Sequence, residues 1–290
     1  MMNYPITIYF AKKLRRISEQ EHKEPMQELK EPMHTILEPV TMHTTLWHED
    51  SIGEICTFRN RLCVVKTQDR IYEEDLLKEA MQTHVNAPNQ QYLVQIFETF
   101  DTIHKVFLEL CDMDLATIQT IKGPFNGTNT RAYSLQVAHG INCLHSMGFI
   151  HRRITPEHIM LNGMNIKIGG YSKLRSIGND ISLNGIPEFM APEQILHDTR
   201  IESDWWSFAC LISEMMTGLN PFKFQDTVAV GVHNIMLMEP IIPAMLPYET
   251  ELFITKYFCN WKDRPNYMDT IIDSWFSQVV TNDIVSQNIS

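Results

Sequence analysis

Lys66, Glu79 and the loop His151-Arg152-Arg153-Ile154-Thr155-Pro156-Glu157-His158 hold the residue types that could grip a charged ligand or move a proton. Lys66 ends the β-branched run RLCVVK, and Glu79 follows thirteen residues later. An ammonium and a carboxylate then face each other if a strand is followed by a helix. Arg153 cannot serve as a base, because a guanidinium stays protonated at neutral pH. It can attract a phosphate group instead.

The surrounding elements supply that placement. Residues 61–66 form a short β-branched run of the kind that makes a buried strand. Over 72–85, Leu76, Leu77, Ala80, Met81 and His84 recur at helical spacing, which sets Glu79 on an amphipathic helix. Residues 94–100 and 105–110 are expected to pair as strands joined near Asp101-Thr102, and 130–147 has the period of a long buried helix. From Asp204 to Phe276 the chain is expected to be helical with proline and glycine punctuation.

Composition narrows the function classes. Lys plus Arg number 24 against 35 Asp plus Glu, a net charge of −11, which argues against a partner bound through a nucleic-acid backbone. The six cysteines, Cys56, Cys63, Cys111, Cys143, Cys210 and Cys259, contain no C-x-x-C pair and read as reduced core thiols rather than a metal or disulfide framework. No apolar run reaches the roughly 18 residues of a membrane span; the stretch 235–246 is broken by Glu239, Pro240 and Pro243.

The first 44 residues differ from the rest. Mildly apolar Tyr4 to Ala11 precedes Lys12-Lys13-Leu14-Arg15-Arg16, the reverse of a secretory signal. Glu-Pro recurs at residues 24, 31 and 38. A proline in each seven-residue period costs a helix about 3 kcal/mol, so a coiled coil is excluded and an extended or disordered tail is expected over 1–44.

Several motifs in order resemble the protein kinase superfamily, serine/threonine type. Lys66 in CVVK resembles the lysine that positions the α and β phosphates of ATP, with Glu79 as its partner. The segment GIPEFMAPE, ending in Ala191-Pro192-Glu193, matches the close of an activation loop. Asp204 in SDWWSF resembles the aspartate that anchors the catalytic-loop backbone, and Arg264 in WKDRP resembles the partner of Glu193. Glu109-Leu110-Cys111 resembles the interlobe hinge after Leu108. The resemblance implies an α+β, two-lobed kinase-like fold over 45–277, with a β-rich small lobe at 45–110, a helical large lobe at 111–277, and a short tail at 278–290.

The reacting positions depart from that pattern together. Arg153 stands for the catalytic aspartate, Thr155 for the lysine that contacts the transferred phosphate, and His158 for the metal-binding asparagine. NIKIGGYSKL places Gly170, Tyr171 and Ser172 on the D-F-G positions, so the second metal ligand is missing as well. The phosphate lid, His48 to Gly53, keeps only its last glycine, Gly53, and gains Glu49 and Asp50. Val64 replaces the usual alanine beside the adenine and narrows that pocket.

The implied function is that of a pseudokinase: a scaffold or allosteric regulator in signalling, with phosphotransfer lost and no catalytic residue assigned at Arg153, Thr155, His158 or Gly170. ATP remains an allowed ligand through Lys66, Glu79, Gly53 and Glu109; magnesium is not expected. Protein partners are implied, an active kinase among them, with no nucleic acid and no membrane span. The expected location is cytoplasmic, with the nucleus left open. The alternatives are an active serine/threonine kinase that recruits metal through Glu157 or Asp180, and a nucleotide switch that binds ATP without turnover. The tail is a docking candidate, and 173–190 a regulated loop in which Ser176 and Ser182 could be modified.

Overall fold

In the computed structural model, residues 40–48, 51–67, 72–83, 89–100, 103–178, 186–222 and 228–277 are described. The Glu-Pro repeats, Glu49, Asp50, Asp180 and Ser182 lie outside them.

The small lobe is built on a five-stranded antiparallel sheet in the order β1-β2-β3-β5-β4. Its strands are β1 (Val40–His48), β2 (Ser51–Phe58), β3 (Arg61–Thr67), β4 (Ile96–Phe100) and β5 (Lys105–Glu109). β1 starts at Val40, so residues 40–44, placed in the tail on sequence grounds, form the first half of a strand; Val40, Thr41 and Thr44 are β-branched and suit it. Arg59 and Asn60 join β2 to β3 with φ of 51° and 59°, the left-handed pair that a two-residue hairpin turn needs to match strand twist.

Alternation along β3 divides its side chains between the two faces of the sheet. Cys63 and Val65 join Cys56, Phe58 and Phe107 in a small apolar layer. On the other face Val106 and Leu108 enter the main core, together with Leu77 and Met81 of helix α1 (Tyr72–Thr83). Lys78 pairs with Glu98, and Thr99 donates to Asp75, so α1 is tied to β4.

The large lobe is mainly helical: α2 (Leu115–Lys122), α3 (Gly127–Ser146), α4 (Pro192–Ile195), α5 (Ile201–Thr217), α6 (Val228–Leu237), α7 (Tyr248–Thr255) and α8 (Tyr267–Ile271). The side chains of Asp114 and Asn126 accept from Thr117 N and Asn129 N and start α2 and α3. That cap carries α3 three residues upstream of the periodicity at Thr130. α5 is buried along most of its length because Trp205, Trp206, Phe208, Leu211 and Ile212, which leave the helix in several directions, all join the main core. Between α3 and α4 run four short strands, β7 (Phe149–Ile150), β8 (Ile159–Asn162), β9 (Asn165–Ile168) and β10 (Arg175–Ser176). β8 pairs with β9 and with β6 (Met113–Asp114), while β10 pairs with β7. The reacting-position residues sit on the turns around these strands.

Candidate functional site

The loop 151–158 hangs on one buried carboxylate. Asp204 near the start of α5 accepts from His151 N at 2.9 Å, from Arg152 N at 2.7 Å and from His145 Nε2 at 2.9 Å. Burial would raise this carboxyl, but the hydrogen bonds and charge of His145 and the His151 amide hold it below the ordinary range. Arg152 has φ of 70°, a left-handed conformation that costs a non-glycine residue on the order of 1–2 kcal/mol. The 2.7 Å bond from its own amide to Asp204 fixes that turn.

His151 is fully buried and wholly engaged. Its Nε2 lies 2.7 Å from Gly169 O, and its Nδ1 accepts from Arg153 N at 3.3 Å. Burial lowers its pKa, and the neutral Nε2–H tautomer satisfies both contacts. The imidazole is thus a brace between the loop and the end of β9. Arg153 itself is 8% exposed, so the position implied for a proton acceptor holds a largely buried guanidinium.

Thr155, His158 and Gly170 form one packed unit. Thr155 Oγ1 lies 2.9 Å from His158 Nδ1, and the His158 carbonyl accepts from Gly169 N at 2.9 Å. The ring is thereby turned onto Gly170. A Cβ at 170 would lie 1.8 Å from His158 Cδ2 and 2.5 Å from Cγ, far inside van der Waals contact. Gly170 also has φ of 71°. Any side chain there meets the imidazole first.

Tyr171 continues the same turn. Its hydroxyl donates toward Val94 O at 2.9 Å and Ile168 O at 2.7 Å, and Val94 N in turn donates to Ile168 O at 2.8 Å. Burial pushes the phenol pKa up, which keeps it a donor. Tyr171→Phe removes the side-chain donor to a buried carbonyl, so stability should fall by about 1–3 kcal/mol in urea unfolding with unchanged m.

Among the residues that the resemblance implies for ATP, Lys66 is half-buried on β3 and pairs across the strands with Gly53 on β2. A Cβ at Gly53 would stand 3.3 Å from Val64 Cγ1 and 3.8 Å from Lys66 Cε, so the bare backbone keeps open the space over the lysine stem. Glu79 lies on the exposed side of α1. The carboxylate on the buried face, in phase with Leu77 and Met81, is Glu74 at 3% exposure. Sequence reasoning passed over Glu74; its i, i+3, i+7 phase with those two apolar residues was the available signal.

Glu109 bridges the lobes. Its carboxylate accepts from Gln95 N at 3.1 Å and from Asn162 Nδ2 at 2.9 Å, and pairs with Lys167 at 3.0 Å. Asn162 and Lys167 had no sequence signal, since their role arises only when the β8–β9 hairpin folds under the hinge. Farther off, Glu193 and Arg264 form a buried, two-pronged ion pair with N–O distances of 2.6 and 3.3 Å, as the resemblance implied.

The donor set does not suit a hard divalent cation. Magnesium demands oxygen ligands in octahedral array, and the residues at its implied site offer an imidazole, a glycine and a guanidinium. Among the described residues no cluster of three His, Cys, Asp or Glu is placed to hold a metal. No helix among them is long and apolar enough to cross a membrane.

Comparison with known proteins agrees with this architecture. The cGMP-dependent protein kinase, isozyme 2 forms cD5/T2, of Drosophila melanogaster is 34% identical over 159 residues, covering 51% of this chain and 17% of its own length. The human ribosomal protein S6 kinase alpha-2 is 34% identical over 175 residues, 56% of this chain and 23% of its own. The rat ribosomal protein S6 kinase alpha-1 is 30% identical over 179 residues, 56% and 23% respectively. The chain therefore spans about a fifth of the length of these relatives. Residues 57–277 match the protein kinase domain, and with its β-sheet small lobe, helical large lobe, Asp204-anchored loop and Glu193–Arg264 pair, the chain belongs to the protein kinase family.

Proposed function

We propose that this chain is a pseudokinase, a kinase fold that has given up phosphoryl transfer and acts as a scaffold or allosteric partner of signalling proteins, an active kinase among them. The observation that carries this reading is the 1.8 Å approach between a Cβ at Gly170 and the His158 ring. Phosphoryl transfer relies on metal ions to neutralise developing charge, and here one ligand position is empty of side chain and the other is filled by an imidazole turned across it. Arg153 adds to the loss. At an effective dielectric near 20, a unit charge about 4 Å away is worth roughly 4 kcal/mol, and this one has the wrong sign for a base. A positioned base typically contributes about 10² to 10⁴ in rate.

Kinase domains in general bind ATP, and Lys66, Glu79, Gly53 and Glu109 are the residues that would hold it here, metal-free. The docking element is assigned to the region before Val40 with its Glu-Pro repeats, the small lobe to residues up to 110, the large lobe to 111–277, and the working compartment to the cytoplasm.

Purified full chain incubated with radiolabelled ATP and magnesium should show no transfer above a Lys66→Ala control. A thermal shift with ATP should be the same with and without magnesium. Magnesium-dependent transfer that disappears in Lys66→Ala would overturn the proposal.

A further inference from the structure

The small apolar layer on the sheet's other face holds chemistry that phosphate handling leaves unused. Cys56 on β2 and Cys63 on β3 are direct cross-strand partners, both fully buried, with their sulfurs 3.4 Å apart. Paired residues on antiparallel strands have Cα atoms about 4.5–5.5 Å apart, inside the roughly 4.4–6.8 Å span of disulfides. The Cys63 thiol also points back along the pair, with its sulfur 3.5 Å from Cys56 O.

We propose that Cys56 and Cys63 are a modification site: a thiol pair that peroxide converts into a reversible disulfide between β2 and β3. The Cys63 thiolate attacks one peroxide oxygen, the O–O bond breaks, and the released hydroxide takes up the thiol proton as water, leaving a sulfenic acid. Cys56 sulfur then attacks Cys63 sulfur and expels the second water. Two thiols are oxidised by two electrons and one peroxide is reduced to two waters, and a dithiol reductant reverses the bond.

Two features favour this pair over the other cysteines. A hydrogen bond from the Cys56 thiol holds the Cys63 thiol below its usual range, against the opposing effect of burial. Burial instead pushes Cys111 up to about 12 and Cys143 up to about 11. The layer is also small: five buried side chains with Met42, Phe97 and Phe100 packed beside them, separate from the main core, so the proposal requires only a local opening there to let peroxide in. The bond would lie three residues from Gly53 on one strand and three from Lys66 on the other, fixing the register of both.

The test uses the reduced full chain exposed to hydrogen peroxide, quenched with acid, unfolded and alkylated with iodoacetamide. Mass spectrometry should find the peptides carrying Cys56 and Cys63 joined, two hydrogens lighter and unlabelled, with both labelled again after dithiothreitol. The thermal midpoint should rise on oxidation in the native sequence and stay put in Cys63→Ser. Labelling of both Cys56 and Cys63 at a peroxide dose that already oxidises Cys111 or Cys259 would overturn the proposal, as would oxidation of Cys63 to sulfinic acid without the cross-link. The mass readout needs no variant, and it is independent of whether ATP binds.

Discussion

Gly170→Asp should destabilise the protein by about 2–4 kcal/mol and, on the proposed pseudokinase reading, bring no phosphoryl transfer. Two effects contribute, and their sizes differ. Aspartate enters the left-handed region more readily than most residues, so φ of 71° sets only the smaller part, about 1 kcal/mol. The larger part is steric: a Cβ 1.8 Å from His158 Cδ2 cannot coexist with the ring as placed. Overpacking of this kind costs roughly 1–3 kcal/mol, because neighbours must leave their rotamers. The ring cannot swing away freely, since Thr155 Oγ1 holds its Nδ1 at 2.9 Å.

The pair His158→Asn and Gly170→Asp should therefore be strongly non-additive. His158→Asn alone loses the Thr155 contact and leaves a gap beside Gly170, a cost of about 1 kcal/mol. Placed together, the shorter side chain makes room for the carboxylate and the steric part vanishes. A double-mutant cycle in urea should return a coupling of about 1–3 kcal/mol in the favourable direction. Strict additivity would mean that the two positions do not share the volume, and the structural support for the proposed pseudokinase reading would fall with it. On the proposed reading the double variant should show no transfer either, because Arg153 remains at the position where the resemblance implies a base.

Much of this was open to reading in the sequence, for reasons particular to each residue. Strands and helices of the described core follow from periodicity: RLCVVK became β3, and the 3.6-residue spacing around Leu77 and Met81 became α1. Asp204, Glu193 and Arg264 lie in segments whose order and wording are distinctive. What periodicity could not give was orientation within a short helix. Glu74 and Glu79 are five residues apart, about 140° around the axis, and only packing decides which one is buried. Nor could one sequence show that His158 and Gly170 compete for one volume, because the ring reaches the glycine only after the turn at Thr155 and the end of β9 come together. The Glu109 bridge was hidden for the same reason: Asn162 and Lys167 are ordinary polar residues until the β8–β9 hairpin is laid beneath the hinge.

Asp204→Asn should be as damaging as Gly170→Asp while leaving the apolar core intact. The carboxylate accepts from three donors, two of them backbone amides of the reacting loop. An asparagine offers one oxygen and turns an NH₂ toward the remaining donors, so at least one buried N–H loses its acceptor. Hydrogen bonds to a charged group are worth about 1.5–3 kcal/mol each, and the bond from the Arg152 amide to Asp204 is one that holds φ at 70°. A loss of about 2–4 kcal/mol follows, with the loop 151–158 gaining hydrogen exchange before the rest of the large lobe. The pH dependence fixes the cause. The folded-state pKa of Asp204 is lowered from its ordinary value of 3.8, so its contribution is fully present above that value and disappears as pH falls through the lower folded value. The gap between the native sequence and Asp204→Asn should shrink as pH falls from about 5 toward about 3. A gap that stays constant into acid would assign the loss to side-chain shape rather than to the buried charge.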